Sequence, residues 1–173
     1  MHIAIFCGAS DKALPEYKKL AFNIGSTLGA AGHNLVYGGG ISGLMGEVSK
    51  GFRQHGATVL GVTLKEFHSP LDMDHADEMV IALDIIHRKT LMCERAEAYV
   101  VLPGSFGTFD EVTWVMAEAQ YGTETKPIIC VTDFFSPVKD LIERMIEARL
   151  APISLRDRIQ FVETPEEVLA ALH

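Results

Sequence analysis

Ala98-Tyr99-Val100-Val101-Leu102-Pro103-Gly104-Ser105-Phe106-Gly107-Thr108-Phe109-Asp110-Glu111 is the stretch whose reading decides the fold. Ala98 to Leu102 is hydrophobic at every position, as expected of a central strand buried on both faces. Pro103 to Gly107 breaks the run, and a helical pattern follows from Thr108 to Tyr121. A strand that passes into a helix through a glycine-rich turn is the first half of a parallel crossover.

The same alternation extends in both directions. Upstream, Ile85 to Glu97 reads as a helix capped by Asp84, preceded by a short strand from Glu78 to Leu83. Lys65 to Asp77, with His68, Pro70 and His75, reads as a loop. Before it come strands His2 to Cys7, Asn34 to Tyr37 and Thr58 to Val62. The helices between them are Leu14 to Ala31, stopped by Gly32, and Gly43 to His55, stopped by Gly56. Downstream, strand Pro127 to Thr132 precedes helix Ser136 to Arg149, then strand Ile159 to Val162 and a terminal helix through Leu172, capped by Thr164. Alternating strands and helices predict an α/β fold with a doubly wound, mostly parallel sheet and helices on both faces, as one domain over residues 1–173.

Charge narrows the function. Fifteen Lys and Arg against 23 Asp and Glu leave a net charge of −8. Such a chain lacks the basic footprint for nucleic acid or an anionic membrane. A small anion remains open to it, held by backbone N–H groups. No apolar run reaches the ~18 residues that span a bilayer, and the N-terminus reads as a strand, not a signal peptide. Cys7, Cys93 and Cys130 show neither zinc spacing nor a disulfide framework, which predicts reduced thiols in the cytoplasm.

In parallel sheets ligands sit at the carboxyl ends of the strands. That singles out the loops Gly8 to Ser10, Gly38 to Gly43 and Pro103 to Thr108. Gly38, Gly40 and Gly43 fit G-x-G-x-x-G, which serves either phosphate contact or tight turn packing. Its place after the second strand argues against an ordinary nicotinamide site, although an oxidoreductase stays a competing reading. In the loop after Leu102, Gly104 to Thr108 could cradle a phosphate at a helix N-terminus. Thr108-x-x-Glu111 also fits a capping box, in which both side chains would only satisfy backbone donors. Arg88 and Lys89 near a helix start are either a solvated face or inward cations; Arg88 shares a face with Met92 and Cys93. His68 and His75 with Asp72 and Asp74 read as a polar loop rather than a metal site, and His87 as helix surface. Trp114, Val115 and Met116 read as core or subunit interface.

Arg88-Lys89-x-x-Met92, together with Pro103-Gly104-x-x-Gly107-Thr108-x-x-Glu111, resembles the LOG family of cytokinin riboside 5′-monophosphate phosphoribohydrolases. Phe6 to Ser10, Tyr37 to Gly46 and Gln120-Tyr121-Gly122 extend the likeness over nearly the whole chain. The resemblance implies a Rossmann-like homodimer that cleaves a nucleoside 5′-monophosphate, of adenine type with or without an N6 substituent, to free base and ribose 5-phosphate. It implies catalytic roles for Glu111 and Arg88 and a 5′-phosphate held by Gly104, Ser105, Phe106, Gly107 and Thr108. Ser10, Gly40, Gly43 and Lys89 complete the candidate binding set. No metal or organic cofactor is required, and nothing resembles a pyridoxal Schiff-base site. Two departures stand out: Ser105 replaces a second glycine, and Ile85-Ile86 replaces a frequent Met-His. The same scaffold also resembles molybdenum-cofactor carriers, so a non-catalytic binder of a phosphorylated ligand is the alternative.

Overall fold

The computed structural model describes residues 1–68 and 75–172. Its strands are β1 (His2–Phe6), β2 (Asn34–Tyr37), β3 (Val59–Leu64), β4 (Glu78–Ala82), β5 (Ala98–Val101), β6 (Ile128–Val131) and β7 (Ile159–Val162). The helices are α1 (Pro15–Ala30), α2 (Gly43–Arg53), α3 (Ile85–Arg95), α4 (Phe106–Tyr121), α5 (Ser136–Glu147), α6 (Leu155–Arg158) and α7 (Pro165–Ala171). The four-residue α6 and a 3-10 turn at Asp133–Phe135 are too short to leave a periodic signal in the sequence. Pro70, Asp72 and Asp74 of the expected loop lie outside the described residues.

Every strand pairs in parallel, and the sheet runs β4-β3-β2-β1-β5-β6-β7. The chain builds outward from β1 to β4, then returns to place β5 on the other side of β1. That reversal makes the β1/β5 junction the switch point, where the loops after the two strands diverge and leave a crevice. A backbone hydrogen bond from the N–H of Gly8 to the carbonyl of Pro103, 3.1 Å, ties those loops together.

Strand residues alternate between two cores. Ile3, Ile5, Leu35, Tyr37 and Val100 pack against Ile24, Leu28, Val48 and Phe52 of α1 and α2. Ala4, Phe6, Val36, Tyr99 and Val101 pack against Met92, Val112 and Val115 of α3 and α4. Each fully buried large side chain contributes about 1.5–3 kcal/mol. Capping follows the sequence: the Asp84 carboxylate accepts from the His87 N–H at 2.8 Å, and Thr164 with Glu167 forms a reciprocal capping box.

Close approach of α1 and α2 sets where the glycine loop before α2 sits. A Cβ on Gly51 would lie 2.4 Å from the Phe22 carbonyl oxygen and 2.6 Å from the Ser26 nitrogen. Within a helix, Gly to Ala is ordinarily favourable by about 1 kcal/mol. At Gly51 the sign should reverse: Gly51→Ala is expected to lose about 1–3 kcal/mol through overpacking. Urea unfolding would register this as a lower midpoint with an unchanged slope.

Candidate active site

The site begins with α3. Its Asp84 cap fixes the helix start, and Met92, completely buried, turns one face toward the sheet. Arg88 lies on that face one turn earlier and is only 9% exposed, so the solvated-face reading fails. Its Nε donates to the carbonyl of Val62 at 2.8 Å, and its Nη1 donates to Glu111 Oε1 at 2.6 Å. The guanidinium passes directly over Gly38, where a Cβ would stand 2.2 Å from Nη2. Gly38 is therefore required for the seat of Arg88.

The start of α4 departs from the sequence expectation. Ser105, in extended conformation, is the N-cap, and the first helical hydrogen bond runs from the Phe109 N–H to the Ser105 carbonyl at 2.9 Å. Thr108 is thus inside the first turn, not at the cap, and the capping-box reading of Thr108 and Glu111 is overturned. Gly104 makes room for it, since a Cβ there would lie 2.1 Å from Thr108 Oγ1. The N–H groups of Phe106, Gly107 and Thr108 precede the first intrahelical bond and converge at the positive end of the helix dipole. This arrangement suits an anion.

The other glycine loop is arranged differently. The Gly43 N–H donates to Asp11 Oδ1 at 3.0 Å, and Leu44 and Met45 donate to the Gly8 carbonyl at 2.9 and 3.3 Å. Gly43 has φ of 59° and packs so tightly that a Cβ would lie 2.5 Å from the Ala9 carbonyl carbon. The N-terminus of α2 thus carries the protein's own anion and carbonyl, and the Gly43 N–H is engaged by Asp11. Asp11, which the sequence reading passed over, supplies that charge.

Two cavities open beside the switch point. One, about 280 Å³, is lined by Gly8, Ala9, Ser10, Gly104 and Ser105, with Tyr17 and Phe134 opposite. The other, about 350 Å³, is lined by Gly38, Gly39, Gly40, Arg88 and Gly107, and by Met45, Thr63, Leu64, Phe67 and Ile85. Ser10, Gly40, Gly104, Ser105 and Gly107 are thus brought together around the crevice. Lys89 lines neither cavity: its ammonium bonds both Asp110 oxygens at 2.9 Å and sits 4.4 Å from the centre of the Trp114 ring. The Phe106 side chain is 89% exposed and lines neither cavity, which leaves its backbone N–H as its link to the site. A cavity of similar size, 360 Å³ beside α5 and β7, contains the surface Arg156–Glu143 pair and no buried polar side chain.

Electrostatics make Glu111 unusual. Burial raises its carboxyl above the ordinary range, while the charge and hydrogen bond of Arg88 pull downward without cancelling that rise. Burial likewise pushes the Cys130 thiol up to about 12, which leaves it inert.

Fold and site define a Rossmann-like α/β protein with a glycine-lined crevice and a buried Arg–Glu pair at its switch point. Within that class the chain belongs to the LOG family of cytokinin riboside 5′-monophosphate phosphoribohydrolases. The family model described as "Possible lysine decarboxylase" matches residues 45–172. The cytokinin riboside 5′-monophosphate phosphoribohydrolase of Mycobacterium marinum is 31% identical over 172 residues, covering 98% of this chain and 91% of the relative. One from Arabidopsis thaliana is 33% identical over 159 residues, 89% of this chain and 73% of the relative. Among solved structures, the molybdenum cofactor carrier protein of Chlamydomonas reinhardtii superposes with a TM-score of 0.73 at 19% identity, covering 99% of this chain and 94% of that one. The molybdenum cofactor binding protein of Rippkaea orientalis gives 0.71 at 20%, with 98% and 93% covered. These two likenesses concern the fold.

Isotope-edited infrared titration of the Glu111 carboxyl should give a midpoint above the ordinary ~4.3 of glutamate. Because Arg88 favours the charged form, Arg88→Met should raise that midpoint further. A midpoint in Arg88→Met at or below that of the wild type contradicts the described geometry.

Proposed function

We propose that this protein hydrolyses the N-glycosidic bond of an adenine-type nucleoside 5′-monophosphate, such as AMP or an N6-substituted AMP. Water is consumed, and free base and ribose 5-phosphate are released. The observation that carries this reading is the buried contact of 2.6 Å between Glu111 and Arg88, the latter lining the 350 Å³ cavity. Family membership supports the same chemistry.

In this reading the 5′-phosphate rests on the N–H groups of Phe106, Gly107 and Thr108, with Ser10, Gly40, Gly104 and Ser105 around it. Binding there anchors the sugar remote from the bond that breaks, so the binding energy favours the strained transition state. As the bond to the base lengthens, positive charge grows on the anomeric carbon. The Glu111 carboxylate stabilises that charge and orients the attacking water, which adds to the carbon while the base leaves with a proton. Arg88 fixes the carboxylate and favours its charged form against the effect of burial. Lys89 acts one step back, holding Asp110 and Trp114 beside Glu111 as a positioning residue.

The protein acts as a homodimer in this reading. Phe109, Leu141 and Met145 leave an apolar face exposed on α4 and α5, and a groove of about 220 Å³ runs between them. No helix among the described residues is long and apolar enough to cross a membrane. The free cysteines suit the reducing cytoplasm.

Incubation with AMP, followed by chromatography, should yield adenine and ribose 5-phosphate in equal amounts. Glu111→Gln should lower kcat by about 10²–10³-fold, the usual cost of one transition-state electrostatic partner. Base release from no purine or pyrimidine monophosphate would refute the reading. Since only the carboxylate form works, kcat/KM should fall as pH drops through the raised Glu111 value, above the ordinary glutamate range. An acidic limb at or below ~4.3 would count against that role.

A further inference from the structure

Thr63 is the one described lining residue of the 350 Å³ cavity, besides Arg88, that carries a polar side chain. It stands at the C-terminal end of β3, is only 3% exposed, and faces Gly39, where a Cβ would come within 3.2 Å of its own. Among the described residues its hydroxyl makes a single hydrogen bond, to the adjacent Leu64 carbonyl at 3.5 Å. That is well beyond the usual O–H···O separation of about 2.5–3.0 Å. The remaining wall is apolar: Met45, Leu64, Phe67 and Ile85. A buried hydroxyl so weakly satisfied, in an otherwise greasy cavity, is suited to a partner from outside.

Position says which part of the substrate it would meet, given the phosphoribohydrolase reading on which this inference rests. The sheet order places β1 and β2 between β5 and β3. Three strand spacings of about 4.8 Å separate β5 from β3 by roughly 14 Å, comparable with an extended nucleoside 5′-monophosphate. A phosphate at the first turn of α4 lies beyond β5. The Arg88–Glu111 pair sits between, with Arg88 reaching the Val62 carbonyl of β3. The far end of the path, where the base would lie, is Thr63.

We propose that Thr63 reads the exocyclic edge of the base, with Oγ1 accepting the N–H of a 6-amino or 6-(monoalkylamino) purine. Its own O–H is directed at the Leu64 carbonyl, 3.5 Å away, and the oxygen keeps lone pairs with which to accept. A single N6 alkyl group retains one N–H to donate, so both amino and monoalkylamino purines fit this contact.

The test compares AMP with purine riboside 5′-monophosphate, which lacks the exocyclic group, on wild type, Thr63→Val and Thr63→Ser. Taking the ratio of kcat/KM for the two substrates within each protein, then comparing ratios, cancels their different leaving abilities. Thr63→Val should cut kcat/KM for AMP about five- to tenfold, one ordinary hydrogen bond, and leave purine riboside 5′-monophosphate turnover unchanged. Thr63→Ser should keep the wild-type ratio. Equal losses on both substrates, or an unchanged ratio in Thr63→Val, overturn the proposal. Wild type that releases base from neither substrate overturns the hydrolase reading, and this assignment with it.

Discussion

The buried pair of Arg88 and Glu111 is the constraint around which the rest of the structure is arranged. Taking two charges out of water costs several kcal/mol per ion, about as much as their attraction returns. A hydrophobic pair would hold the two helices together at least as well. The cost is limited by shape: a second hydrogen bond to the Val62 carbonyl engages the guanidinium, and Gly38 clears its path. What such a pair provides is a carboxylate of fixed position in a medium of low dielectric, where its field acts strongly on a nearby developing cation. That is a chemical reason for its presence rather than a structural one.

A second constraint decides where an anion can dock. Two helices, α2 and α4, begin beside the switch point after glycine-rich loops, and both N-termini carry partial positive charge. At α2 the loop after β1 folds back, so that Asp11 and the Gly8 carbonyl occupy the first-turn donors. At α4 the cap residue Ser105 makes no side-chain hydrogen bond to the turn. The two loops thus divide the labour. One braces the crevice and the other presents donors to it.

Much of this was legible in the sequence because it depends on local chemistry. Alternation of apolar runs with 3.6-residue periodicity gives the parallel sheet, Asp84 caps α3, and the i, i+4 relation of Arg88 to Met92 turns the cation inward. What the sequence concealed depends on contacts between distant segments. Thr108-x-x-Glu111 has a capping-box spacing, and only Arg88, 23 residues away, shows that the carboxylate points elsewhere. Gly38-x-Gly40-x-x-Gly43 has a phosphate-loop spacing, and nothing in it announces that the Gly43 N–H donates to Asp11, 32 residues away. Lys89 looked like a substrate cation beside Arg88, but one residue along a helix turns a side chain by about 100°, which delivers it to Asp110 and Trp114. Thr63 gave no signal, since one threonine in an apolar strand has no pattern to break.

The most direct measurement is a crystal structure of the Glu111→Gln variant with AMP bound. The phosphate should lie within hydrogen-bond distance of the N–H groups of Phe106, Gly107 and Thr108, with the side chain of residue 111 facing the anomeric carbon. A phosphate seated instead at the start of α2, or a sugar turned away from residues 88 and 111, would contradict the account.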